Sequence, residues 1–95
     1  MIVRIDIEPA EGEGFDYRVS IENEELFADA GIGSVAQCLI SAIEGLAPDV
    51  VAIELAYDRI VSGTYPLQVV AMNLEQVAQH AVNTTEAIDE VMPDR

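Results

Sequence analysis

Two segments near the start of the chain, residues 3–8 and residues 15–22, alternate strictly between apolar and polar positions. Their apolar positions are Val3, Ile5, Ile7, Phe15, Tyr17, Val19 and Ile21. A repeat of two is typical of β-strands that bury one face and expose the other. A short polar connection with two glycines, residues 9–14, separates the segments. They are therefore predicted to pair as an antiparallel hairpin that places Ile5 opposite Val19.

A third, shorter strand is predicted at residues 25–30, after a two-residue turn at Asn23-Glu24. Asn tolerates the left-handed backbone conformation that such a turn requires. The turn predicts the inner-face pairs Ile21 with Leu26, Val19 with Ala28, and Tyr17 with Ala30. On the outer face it places Arg18 between Asp6 and Asp29, where each ion pair is worth roughly 0.2–1 kcal/mol.

The segment 31–48 is predicted to form a central helix that the sheet covers. Ser34 can cap its start, because its hydroxyl can accept a hydrogen bond from a backbone N–H of the first turn. Pro48 stops the helix. Apolar residues spaced by three and four positions share one face, and they are Ala36, Leu39, Ile43 and Leu46. Few polar residues interrupt this segment, so little of the helix can face water.

The next segment, residues 49–57, allows two interpretations. Its alternating apolar residues are Val51, Ile53, Leu55 and Tyr57. With apolar residues between them, these positions favour a strand that is buried on both faces. A helix also fits the spacing, although it would place Glu54 and Asp58 beside the apolar stripe. The strand is the preferred interpretation, and Ser62-Gly63-Thr64 then predicts a turn.

A second amphipathic stripe begins after Pro66, a residue that suits the first turn of a helix. Its apolar residues are Leu67, Val70, Leu74, Val77, Ala81, Ile88 and Val91. Asn83-Thr84-Thr85 interrupts the stripe and predicts a break or kink with a new N-cap. Met92–Arg95 is predicted to be a frayed end.

Residues 1–95 together predict a single small domain of the α+β class. The predicted architecture is an antiparallel sheet of three to four strands with two helices packed on one face, in the order βββαβα. With 51% apolar residues, the chain has enough hydrophobic material for a folded core.

The charge balance is strongly acidic. Eighteen acidic residues face four arginines and no lysine, which gives a net charge of −14. Direct binding of nucleic acid or of an anionic membrane surface is disfavoured, because both depend on Lys and Arg. No apolar run has the length of a bilayer span and no signal peptide is recognisable, so a cytoplasmic location is expected.

Reactive side chains are sparse. Cys38 is the only cysteine and lies among apolar helix neighbours, so a buried, unreactive thiol is expected. His80 is the only histidine and is expected at the surface, which makes a zinc site improbable. An acidic cluster surrounds the first hairpin loop without the spacing of a calcium loop, and comprises Glu8, Glu11, Glu13 and Asp16. Gly31-x-Gly33 lacks a neighbouring basic residue and is a weak phosphate-loop signal. No catalytic residue, cofactor or metal ligand is predicted.

The opening strand RIDIEP is followed by the acidic glycine loop AEGEG, the strand FDYRVSI, a strand ending FADAG, and the helix IGSVAQCLISAIEGL. In this pattern, residues 2–47 resemble the small partial RNase H-like domain of HicB-type antitoxins. The resemblance implies a domain that neutralises a small basic toxin. The chain has ENEELFADAG where that family has a Pro-Asp-Leu-Pro-Gly-like segment, and its acidic last helix does not suit the family's DNA-binding tail. A double-stranded-RNA-binding-like or ferredoxin-like arrangement would give a similar order of elements.

The function expected from the sequence is non-enzymatic. The chain is predicted to be an acidic protein-binding or self-assembly module, with its own copies as the favoured partner. The predicted register leaves Phe27 on the outer face, and the last helix is apolar, so Phe27, Leu74 and Val77 are the candidate interface residues. Two alternatives remain open: an antitoxin for a basic toxin, and a small-ligand binder or enzyme with a sheet–helix pocket near His80, Tyr17 or Tyr57.

Overall fold

The computed structural model describes residues 1–91, so the frayed end predicted at Met92–Arg95 lies outside the described residues. The strands are β1 (Ile2–Pro9), β2 (Phe15–Ile21), β3 (Glu24–Ile32), β4 (Ala52–Tyr57) and β5 (Ile60–Pro66). The helices are α1 (Val35–Glu44), α2 (Leu67–Met72) and α3 (Leu74–Val91). Among the described residues, every helix is too short or too polar to cross a bilayer.

The α+β class is confirmed, but the sheet differs from the predicted one. Within residues 1–91 it has five strands in the order β3-β2-β1-β4-β5, and the helices number three. β1 and β4 are parallel, while the other neighbouring pairs are antiparallel. The chain crosses the sheet through α1 between β3 and β4, and a helical crossover of this kind is the connection that the parallel pairing of β4 with β1 requires.

The core lies between one face of the sheet and the helices α1 and α3. The sheet contributes the fully buried side chains Val3, Ile5, Ile7, Val19, Ile53 and Leu55. The helices cover them with Cys38, Leu39, Ala42, Val77, Ala78 and Ala81. The predicted alignment of Ile5 with Val19 is confirmed. Ser34 caps α1 as predicted, since its Oγ accepts a hydrogen bond from the Gln37 N–H at 3.1 Å.

The predicted register of the third strand is wrong. The turn lies at Glu22-Asn23, one residue earlier than predicted, and both residues have positive φ, at 50° and 70°. Two bulges follow in the β2–β3 pairing, and Val19 lies opposite Phe27. A shift of one residue moves a side chain to the other face of a sheet. Phe27 therefore faces the core and not the outer surface.

The predicted ion triplet around Arg18 is also wrong. The changed β2–β3 register places Ala28, and not Asp29, opposite Arg18, whereas the predicted alignment of Asp6 with Arg18 is confirmed. Asp6 instead pairs with Arg4, which lies two residues away on the same face of β1. Arg18 forms no salt bridge with any residue in the described part of the chain.

The strand interpretation of residues 49–57 is confirmed at Ala52–Tyr57, but the turn predicted at Ser62-Gly63-Thr64 is wrong. The chain turns at Asp58-Arg59, which have φ of 49° and 74°. Ser62-Gly63-Thr64 lies inside β5. A Cβ atom added at Gly63 would approach the Tyr65 hydroxyl to 2.9 Å, so the Tyr65 side chain would have to shift to accept a larger residue.

The break predicted at Asn83-Thr84-Thr85 is also wrong, because these residues lie inside α3. The interruption occurs at Asn73, whose side-chain Nδ2 donates a hydrogen bond to the Val69 carbonyl at 2.9 Å. Thr85 is 2% exposed, and its Oγ1 donates to the Tyr57 carbonyl at 2.8 Å. This bond ties α3 to the end of β4.

Candidate functional site

The face of the sheet opposite the helices is the most distinctive surface of the molecule. The core cluster occupies the inner face, and the outer face carries the polar partners of the alternating strands. Residues of β2 and β3 on this face, such as Arg18, Glu25 and Ala28, are exposed. An open sheet face of this kind is available for contact with another molecule.

A shallow groove of about 560 Å³ runs over this face beside β3. We call it the outer groove, and it is lined by Asp6, Glu8, Asp16, Tyr17, Arg18, Glu25, Ala28, Asp29 and Ala30. It continues towards Ser20 and Asn23 through a second groove that shares Asp6, Arg18 and Glu25 with it. The outer groove therefore has five carboxylates and one guanidinium along its walls.

The neighbouring cation, Arg4, is already neutralised. Its Nε lies 3.0 Å from Asp6 Oδ1, and its Nη1 lies 3.0 Å from Glu54 Oε1. Burial opposes the charge of Arg4, but these two carboxylates outweigh burial and raise the pKa of the guanidinium. Arg4 thus joins β1 to β4 and stabilises the sheet at the edge of the outer groove.

Backbone groups of β3 fix two of the groove carboxylates. The Gly31 N–H donates to Asp16 Oδ1 at 3.2 Å, and the Ala30 N–H donates to Asp29 Oδ1 at 2.8 Å. Gly31 has a φ of +72°, a conformation that glycine adopts without strain. These bonds fix the orientation of both carboxylates.

The acidic cluster around the first hairpin loop and the Gly31-x-Gly33 segment do not form one site. Glu8 and Asp16 line the outer groove, while Glu11 and Glu13 are exposed in the hairpin loop. In residues 1–91, no three His, Cys, Asp or Glu side chains lie close enough together to hold a metal ion. Gly31 belongs to the end of β3, where its N–H bonds Asp16.

The two single reactive residues, Cys38 and His80, lie on different helices. Cys38 has no exposed surface on α1, as predicted. Burial raises the pKa of its thiol to about 11, and Asp16 and Asp29 add to the effect. His80 is exposed on α3, also as predicted.

The three predicted interface residues are placed less favourably than the sequence implied. Phe27 is half-buried against the core, and its ring meets that of Tyr17 edge-on at a centroid distance of 6.4 Å. Val77 is 7% exposed, and Leu74 packs against the core with part of its surface accessible. Their role in an interface stays a prediction, but the outward orientation of Phe27 on which it rested is wrong.

The outer groove was not predicted as a whole from the sequence. The alternation of β1 and β2 correctly placed Asp6, Asp16 and Arg18 on one wet face. Glu25 joined them only through the true β2–β3 register, in which it lies opposite Ser20. The missing signal was the position of the turn, which depends on positive φ at Glu22, a residue type that seldom adopts it.

No family model matches the chain, and no curated protein or solved structure gives a significant match. The likeness of residues 2–47 to HicB-type domains thus stays an expectation from the sequence pattern. What the outer groove can bind follows from its own shape and charge.

Proposed function

We propose that the chain is a non-enzymatic protein-binding module whose outer groove binds a basic segment of a partner protein. The observation that supports this most directly is the charge of the outer groove, in which five carboxylates stand against Arg18. The net charge of −14 adds a long-range field of the same sign. Such a field attracts cationic surfaces and raises the rate of their association.

A cationic protein suits this surface better than other charged partners do. Phosphate backbones and anionic lipids need clusters of Lys and Arg, and the groove has one arginine. Carboxylates spread along an open groove suit lysine and arginine side chains that are themselves spaced along a chain. A HicB-like antitoxin that neutralises a small basic toxin would be one case of this function.

The proposal is tested by neutralising the groove without changing its shape. Asp16→Asn keeps an oxygen that can accept from the Gly31 N–H, and Glu25→Gln keeps the length of the side chain. The probe is a peptide of alternating lysine and glycine, and titration calorimetry at an ionic strength of about 0.15 M, where the Debye length is only about 8 Å, measures its affinity. We expect the double variant to bind the peptide about tenfold more weakly, since it lacks two charge contacts.

The matched control is the double variant Glu11→Gln with Glu13→Gln. It removes the same net charge from the exposed hairpin loop, outside the outer groove. We expect the control to bind with less than about a threefold loss, because distant exposed charges are screened. Equal losses in the two double variants, or no binding of the peptide to the unaltered chain, would contradict the proposal.

A second candidate function is self-association through one end of the sheet. Ile2 and Val51 are 57% and 62% exposed there, and the Leu67 N–H donates to the Val51 carbonyl, which places the start of α2 beside them. Val69 and Met72 of α2 are exposed as well. We propose that Ile2, Val51, Val69 and Met72 form one surface, which we call the apolar end patch. A continuous surface of exposed apolar residues favours pairing between copies.

A further inference from the structure

We infer that the partner's basic segment binds as an extended strand along β3 and adds a sixth strand to the sheet. This inference rests on the proposed function, because it specifies how the basic partner docks beside the outer groove. Strand addition to a free sheet edge is a recurring way for proteins to recognise extended peptides.

β3 is the more accessible of the two sheet edges. It spans nine residues, seven of them exposed, and contains no proline. An edge strand presents backbone N–H and C=O groups that another strand can pair with. At the other edge, β5 ends in Pro66 and packs against α3.

The hydrogen bonds of β3 limit where an added strand can lie. The Ala30 and Gly31 N–H groups are taken by the carboxylates of Asp29 and Asp16. The part of the edge left for pairing is therefore Glu24 to Asp29. Leu26, within this part, is 49% exposed, and it would be covered by the new strand.

The two sides of β3 dictate the side chains of the added strand. On the outer side, Glu25 and Ala28 line the outer groove. On the inner side, Phe27 lies against Tyr17 and the end of α1 at Gly45. The bulge between the Val19–Phe27 and Ser20–Glu25 pairs is the reason that Glu25 and Phe27, two residues apart, face opposite sides. In a regular strand, such as the added one, successive residues point to opposite faces. The partner segment should thus alternate basic residues over the outer groove with apolar residues beside Phe27.

A second copy of the chain is a poor occupant of this edge. If β3 of a second copy paired with this edge, its Glu24, Glu25 and Asp29 would lie close to the same three carboxylates of the first copy. Like charges that meet across paired strands are destabilising. Charged side chains on edge strands are also a common device against pairing between copies.

The test compares three peptides of equal charge and of the length of β3, in which lysine alternates with valine, glycine or proline. Proline has no N–H and cannot complete the backbone pairing of an added strand. We expect the lysine–valine peptide to bind the full chain at least about tenfold more tightly than the lysine–proline peptide. The lysine–valine peptide should also slow amide hydrogen exchange in Glu24–Asp29 but not in β5.

The outcomes separate this inference from the proposed function. Equal affinity for all three peptides, or no added protection in β3, would overturn strand addition. If the Asp16→Asn, Glu25→Gln double variant still bound those peptides more weakly than the unaltered chain does, the proposal of a basic partner would stand without strand addition. Protection of β5 in place of β3 would also overturn the inference. A lysine–valine preference with protection confined to β3 supports it.

Discussion

At the scale of single residues, local interactions are what the sequence predicts well. Ser34 caps α1 because a cap needs only its own hydroxyl and the Gln37 N–H three residues later. The burial of Cys38 follows equally directly from its apolar neighbours on the helix. The predicted orientation of Phe27 was wrong because it depends on positive φ at Glu22 and on a bulge. Residue type alone indicates neither feature.

The buried thiol of Cys38 predicts a loss of stability at high pH. In the unfolded chain the thiol ionises near its ordinary pKa of 9.0, whereas in the folded chain its pKa is about 11. Between these values the unfolded state binds fewer protons, so the free energy of unfolding falls as pH rises. This one group accounts for a slope of at most about 1.4 kcal/mol per pH unit.

Urea denaturation of the chain with Cys38 and of Cys38→Ala from pH 8 to 11 measures this slope. Below pH 9 the two free energies of unfolding should differ by a constant amount that reflects lost packing. Above pH 9 the difference should shrink. Tyr57 also has a raised pKa, mainly through burial, but it is present in both proteins and its contribution cancels. The pKa of Tyr17 is raised by burial and also by Cys38, so both proteins carry Tyr17→Phe in this comparison. Parallel curves up to pH 11 would show that the thiol is not protected.

At the scale of elements, strand and helix identities were easier to predict than their joins. Both strands of the first hairpin and the central helix lie where their periodicity placed them. The parallel pairing of β1 with β4 was not predicted, because the apolar run of residues 49–57 indicates a strand buried on both faces but not which strand lies beside it. Asn83-Thr84-Thr85 has the composition of a helix cap. Thr85 instead lies inside a continuous helix, because its hydroxyl is satisfied there by donating a hydrogen bond to the Tyr57 carbonyl.

The corrected position of Phe27 predicts a structural role for it. Its ring packs against Tyr17, and a Cβ added at Gly45 would approach Phe27 Cζ to 2.8 Å, so α1 closes tightly over β3 at this point. We expect Phe27→Ala to lower the free energy of unfolding by roughly 2–3 kcal/mol, somewhat less than for a fully buried ring.

The control for Phe27 is Leu26→Ala, one residue away on the same strand. Leu26 is about half exposed, so its truncation should cost no more than about 0.5 kcal/mol. Chemical denaturation of both variants measures the difference. Similar losses would mean that Phe27 contributes no more than a surface residue, and would restore it as a candidate for an external interface.

At the scale of the whole molecule, charge and exposed apolar surface favour different partners. A net charge of −14 makes any two copies repel each other and attracts a basic protein. Added salt screens both effects, because the Debye length is only about 8 Å near physiological ionic strength. Salt should therefore weaken binding of a basic partner and strengthen any pairing of copies through the apolar end patch.

The opposite salt dependence of the two kinds of association provides a test of self-association. Light scattering at micromolar concentration should show more dimer as salt rises, if the apolar end patch joins two copies. Val51→Asp should weaken that dimer about tenfold or more, because an unpaired carboxylate would be buried at its centre. Val61→Asp is the matched control, since Val61 is also exposed but lies next to the β4–β5 turn, at the far end of the strand from Val51. A monomer at every salt concentration, or equal weakening by both variants, would remove the apolar end patch as an interface.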